Sequence, residues 1–160
     1  MDKQLMDKQQ KYEELLPRIT ALIQGEHDET AVMANVAAAL ADEFNWWWTG
    51  FYRVLGNELI LGPFQGPVAC YHIGMGRGVC GTAWQQERTI VVDDVEQFPG
   101  HIACSSLSRS EIVIPLKTDD GTILGVLDID STDLVLLGGL GDVGYIDTIL
   151  PLPLTITRIG

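Results

Sequence analysis

Glu111-Ile112-Val113-Ile114-Pro115-Leu116-Lys117-Thr118-Asp119-Asp120-Gly121-Thr122-Ile123-Leu124-Gly125-Val126-Leu127-Asp128-Ile129-Asp130 carries the strongest structural signal in the chain. Asp120-Gly121 between two β-branched runs predicts a hairpin with a type I′ turn, in which both central residues take positive φ. Alternation along a strand sends Asp128 and Asp130 to one face and Leu127 and Ile129 to the other. With a two- or four-residue loop centred on Asp120-Gly121, Glu111 falls opposite Asp130 and Val113 opposite Asp128. Three acids then share one surface, and like charges directly opposite destabilise a sheet by a few tenths to about 1 kcal/mol. Two readings compensate that cost. One is a pocket that holds an ammonium group or keeps one carboxyl protonated as a general acid, and the other is a solvated sheet edge.

Upstream, Trp46 to Leu55 is aromatic and β-branched enough for a strand, Gly56-Asn57 turns it, and Glu58 to Phe64 returns. Trp48 and Tyr52 share a face, and Gly50 between them leaves space above the sheet. Such a wall suits a cation or a polarised sulfur group, although an aromatic stripe also suits a core. Tyr12, Leu16, Ile19 and Ile23 recur at helical spacing over Leu5 to Gln24, with Pro17 expected to kink or restart that helix and Gly25 to stop it. Val32, Val36, Leu40 and Phe44 mark a second helix over about Glu29 to Glu43.

Gly74-Met75-Gly76-Arg77-Gly78 lacks the Lys-Ser/Thr ending of a phosphate loop and reads as a connection into a short helix, Val79 to Glu87, with Cys80 in its first turn. Thr89 to Val92 reads as a strand, and Asp93 to Ser108 as a long loop. After Ser131, glycines and prolines interrupt what would be a closing helix.

The 160 residues suit a single domain, 1–160, with helices over about 5–44, a core over about 46–131 and a tail over 132–160. A formal charge of −12 with 10 Lys+Arg disfavours nucleic acid and leaves a cationic or zwitterionic small molecule admissible. The start, Met1-Asp2-Lys3-Gln4, lacks a signal-peptide pattern, and no run of roughly 20 apolar residues offers a membrane span, which points to the cytoplasm. Three cysteines in a reducing compartment speak for redox-active or buried thiols over a structural disulfide framework.

Cys70, Cys80 and Cys104 are too widely separated for a zinc site of paired ligands, with only Cys70-x-His72 and His101-x-x-Cys104 in its favour. Either histidine could activate a thiolate in a Cys-His hydrolase, but no nucleophile signature accompanies them. Each cysteine alone also suits a small buried apolar residue.

Together, Trp48-Thr49-Gly50-Phe51-Tyr52, Gly62-Pro63-Phe64-Gln65-Gly66 with Ala69-Cys70, Gly76-Arg77-Gly78-Val79-Cys80-Gly81-Thr82-Ala83, Gly100-His101-Ile102-Ala103-Cys104, Ser110-Glu111-Ile112-Val113 and Gly125-Val126-Leu127-Asp128-Ile129-Asp130-Ser131 closely resemble the free methionine-R-sulfoxide reductases, enzymes built on a GAF domain. The likeness covers about residues 25 to 133. It implies an α+β fold, a GAF-like antiparallel sheet of about five or six strands with helices packed on its faces.

It further implies a cytoplasmic enzyme that reduces the free R epimer with electrons from a thioredoxin-type dithiol, needs no metal or cofactor, and admits a homodimer. In those roles Cys104 matches the nucleophile, Cys70 the resolving thiol and Cys80 an auxiliary third cysteine. Glu111, Asp128 and Asp130 match the acidic side of the substrate pocket, and Trp48 and Tyr52 its aromatic wall. The alternative is a non-catalytic GAF-type module that senses a small molecule or redox state. The chain departs from the family after Ser131, where Leu134-Val135-Leu136-Leu137-Gly138-Gly139-Leu140-Gly141 replaces a polar turn into a long amphipathic helix.

Overall fold

The computed structural model describes residues 3–101 and 107–133, so Cys104 and all of the expected atypical tail beyond Asp133 lie outside the described residues. Helix α1 (Lys3–Ile23) runs through Pro17 without stopping or restarting. Pro17 and Glu13, whose carbonyl loses its amide partner, both lie on the exposed face, where water can serve that carbonyl. The buried stripe is Tyr12, Leu15, Ile19 and Ile23. Leu15 takes the place expected of Leu16, which is only partly buried.

Helix α2 (Glu29–Phe44) starts at Asp28, whose carboxylate accepts the Ala31 amide at 2.8 Å, and ends at Asn45 in the left-handed conformation. Val32, Val36 and Leu40 are buried as expected, joined by Met33 and Ala37.

The strands are β1 (Trp48–Leu55), β2 (Glu58–Gln65), β3 (His72–Gly74), β4 (Ile90–Val92), β5 (Ser110–Lys117) and β6 (Ile123–Ser131). They form one antiparallel sheet in the order β3-β2-β1-β6-β5-β4. Helix α3 (Gly78–Gln86) lies between β3 and β4, and a short 3-10 turn spans Val95–Gln97. Strand β3 carries no three-residue pattern legible in the sequence. It joins the sheet by pairing with Glu58 to Ile60 and through His72 Nδ1, 3.1 Å from Glu58 Oε1.

Strand parity divides the core into two layers. Phe51, Ile112, Ile114, Leu127 and Ile129 face the two long helices, whereas Trp48, Tyr52, Val113 and Val126 face α3 with Val79, Cys80 and Trp84. Among the described residues, no helix is long and apolar enough to cross a membrane.

The β5–β6 hairpin has the expected register, Glu111 with Asp130 and Val113 with Asp128, but not the expected turn. Gly121 takes φ +89° while Asp120 stays at negative φ, which excludes type I′. The loop spans Thr118 to Thr122, closed by Thr118 N to Thr122 O at 2.8 Å, with a bulge between Leu116 and Lys117. The Asp120 carboxylate accepts from the Thr118 hydroxyl and from the Thr122 amide, so side-chain bonds support a wider loop than a tight turn would give.

Candidate active site

The acids occupy the middle of the sheet, which rules out a solvated edge. Strand β6 is flanked by β1 and β5, so Asp130 has Trp48 on one side and Glu111 on the other, and Asp128 has Gly50 and Val113. Glu111 and Asp128 are each only 6% exposed, and Asp130 is half-buried. All three line one cleft with Trp48 and Tyr52. Five of the residues expected to act together therefore converge.

The space expected above Gly50 is filled. A Cβ there would run into Phe64 and stand 2.7 Å from Trp48 Cη2, and the Trp48 ring stacks on Phe64 with centroids 5.1 Å apart. Gly50 thus lets the tryptophan lie flat across the strand, and the cleft opens beyond it. Trp48 and Tyr52 are 5.9 Å apart between centroids. Each uses its polar tip as an anchor: Trp48 Nε1 donates to Pro67 O at 3.1 Å and Tyr52 OH to Cys70 O at 2.9 Å. Both bonds hold the segment after β2 against the aromatic wall.

Cys70 on that segment is half-buried and disulfide-bonded, whereas Cys80 is a buried free thiol. Cys80 lies at the start of α3, where Gly78 and Val79 also line the cleft. Arg77, the N-cap residue, makes no side-chain cap bond among the described residues, and it lines the cleft together with the first residues of α3. The glycine-rich run before it serves packing: Gly76 donates to Gly81 O at 2.9 Å, and Gly76 and Gly78 both take positive φ.

Burial, reinforced by the charges of Asp130 and Glu111, holds the Asp128 carboxyl well above its ordinary range. Asp130 is raised by burial and then by Glu111, against the stabilising Ser108 hydroxyl, which donates to Asp130 Oδ1 at 3.1 Å. Among the described residues, Asp128 Oδ1 has no hydrogen-bond partner. Burial and then the Asp128 charge push the Tyr52 phenol up, so it remains a donor. The Cys80 thiol is raised by burial and then by Asp128, Glu111 and Asp130. It stays protonated and is a poor nucleophile. A proton is thus stored on the acid cluster, available to a ligand atom that gains negative charge.

Two residues near the cluster had no local signal marking them for it. Ser108 supports Asp130, and His101 Nε2 comes within 3.8 Å of Glu111 Oε1. The sequence links His101 only to Cys104, since nothing local encodes an approach to β5. The other sequence-suggested metal pair, Cys70 with His72, is not formed: Cys70 is in a disulfide and His72 turns to Glu58 at the sheet edge.

The GAF domain family model matches residues 26–143. GAF domain-containing protein A of Dictyostelium discoideum is 62% identical over 128 residues, covering 79% of this chain and 80% of that protein. The free methionine-R-sulfoxide reductase of Escherichia coli is 46% identical over 130 residues, covering 79% of this chain and 77% of that protein. In three dimensions, the free methionine-R-sulfoxide reductase of Neisseria meningitidis in complex with its substrate superposes with a TM-score of 0.89 at 48% identity, covering 95% of this chain and 93% of that one. On this identity and coverage, joined to an acid-floored, aromatic-walled cleft, the chain belongs to the free methionine-R-sulfoxide reductases, oxidoreductases built on a GAF domain.

Proposed function

We propose that the chain, as one GAF-like domain, reduces free L-methionine (R)-S-oxide to methionine through thiol chemistry. The Cys104 thiolate attacks the sulfoxide sulfur while a carboxyl of the acid cluster protonates the departing oxygen. A bond forms between the two sulfurs as the sulfur–oxygen bond breaks and the oxygen leaves as hydroxide. That hydroxide then bonds to the Cys104 sulfur, methionine leaves with the electron pair of the sulfur–sulfur bond, and Cys104 becomes a sulfenic acid. The Cys70 thiol then displaces hydroxide from that sulfenic acid, giving a Cys70–Cys104 disulfide and water. A thioredoxin-type dithiol restores both thiols and is itself oxidised. Such a dithiol is kept reduced in the cytoplasm, where we expect the protein to act.

The observation that carries this reading is the Cys70 disulfide fastened, through Cys70 O, to the tyrosine that walls an acid-floored cleft. A free amino acid suits both ends of that cleft. Its ammonium group complements Glu111, Asp128 and Asp130, and its carboxylate complements the uncapped amides of α3 beside Arg77. A peptide-bound residue lacks both charges. Trp48 and Tyr52 offer aromatic contact to the polarised sulfur.

The test supplies free R-sulfoxide, free S-sulfoxide and a peptide-bound sulfoxide with a thioredoxin system and follows methionine formation. Turnover is expected on the free R epimer and not on the peptide. Absence of turnover on the free R epimer refutes the reductase reading.

A further inference from the structure

The scheme above leaves Cys80 without a chemical step, yet its surroundings are specific. Cys80 Sγ, a carboxylate oxygen of Glu111 and one of Asp128 all lie within 4.8 Å of one another, and all three residues are buried. They come from α3, β5 and β6, so the packing of helix on sheet fixes them together. Around a tetrahedral zinc ion, with bonds of about 2.3 Å to sulfur and about 2.0–2.2 Å to oxygen, donor atoms stand roughly 3.3–3.7 Å apart. Side-chain rotations that move each donor by about 1 Å or less reach that spacing.

A second observation points the same way. Asp128 lines the cleft at 6% exposure, and its Oδ1 has no donor among the described residues. A buried polar oxygen left without a partner is rare in native structures, and a bound ion is one way to satisfy it. His101 Nε2, 3.8 Å from Glu111 Oε1, lines the same cleft.

We propose that Cys80, Glu111 and Asp128 form a binding site for a thiophilic divalent cation such as zinc. A thiolate with two carboxylates suits zinc or cobalt, whereas calcium needs six to eight oxygen ligands and magnesium a near-octahedral oxygen shell. A cation seated there occupies the acid floor of the cleft. Zinc therefore excludes the substrate's ammonium group and inhibits competitively. That consequence rests on the reductase reading, while the binding itself does not.

The binding experiment uses the disulfide form of the full chain, in which thiol titration in denaturant should find one thiol per chain. Cobalt(II) is then added and the near-ultraviolet thiolate-to-cobalt absorption followed. One equivalent should produce the band, zinc should bleach it, and a large excess of magnesium or calcium should leave it intact. Cys80→Ser should lose the band and weaken zinc by more than about a hundredfold, the upper range for losing even an outer partner of a ligand. Asp128→Asn should weaken zinc at least tenfold while keeping the band. Absence of the band in the unaltered protein, its persistence in Cys80→Ser, or equal displacement by magnesium overturns the site whatever the variants do to folding. Competitive inhibition is measured separately, so a protein that binds zinc without turning over sulfoxide is distinguished from one that turns over and binds no zinc.

Discussion

Replacing Asp128 by asparagine should raise stability at neutral and alkaline pH and flatten its pH dependence. Asp128 is 6% exposed, has an oxygen without a partner among the described residues, and is held above its ordinary range by burial first and by Asp130 and Glu111 next. The folded protein therefore keeps a proton that the unfolded chain, titrating near 3.8, has already lost. With more protons on the folded than on the unfolded state, the unfolding free energy falls as pH rises between the two values. Stability is greatest below the unfolded value and declines until the raised folded value is passed.

A difference of one proton corresponds to about 1.4 kcal/mol per pH unit. Asparagine keeps the shape and cannot ionise, so it removes this slope along with the cost of the buried charge. The assay is urea unfolding of both proteins from roughly pH 5 to roughly pH 9, with the Cys70 disulfide kept oxidised throughout. The stability of the variant relative to the unaltered protein should grow with pH at up to about 1.4 kcal/mol per unit and then level off. Parallel profiles, or a difference that shrinks as pH rises, would refute the argument that Asp128 is a protonated buried acid.

Cys104→Ser should abolish methionine release, whereas Cys70→Ser should release up to about one equivalent and stall; equal multiple turnover in both variants contradicts the division of roles. Tyr52→Phe removes the 2.9 Å bond to Cys70 O, worth about 0.5–1.5 kcal/mol, and should slow disulfide formation up to about tenfold in a rapid-quench thiol assay. An unchanged rate would mean that the tether is idle. Gly50→Ala forces a methyl group into Phe64 and the Trp48 ring and should cost about 1–3 kcal/mol in denaturant unfolding; a loss below a few tenths would show that the ring moves freely.

What could be read from the sequence is what obeys a short period. Strand parity and a loop centred on Asp120-Gly121 put Glu111 across from Asp130 from the sequence alone, because alternation on a β-strand is fixed by backbone geometry. The helices were equally legible, apart from the restart admitted at Pro17, which α1 runs through, and the exchange of Leu15 for Leu16, two residues that both satisfy helical spacing and are separated by how α1 rolls on its neighbours. The turn type was misread because Asp120 spends its carboxylate on Thr118 and Thr122, a local side-chain choice that competes with the Asp-Gly backbone preference. Gly50 was misread because what fills the space above it comes from Phe64 on a neighbouring strand. His101 and Ser108 join the site through tertiary approach alone, which no periodicity records.

The pairing of Trp48 with Asp130 joins positions 82 apart in the chain. The loop-closure entropy of that contact must be met before β1 and β6 reward it, and such non-local pairings slow folding. The cleft therefore cannot arise from local hairpins. The β1–β2 and β5–β6 hairpins can each form early, but the aromatic wall belongs to one and the acidic floor to the other. During synthesis, binding capacity should appear in one step, after residue 131 has been made and the two hairpins have joined along their central seam.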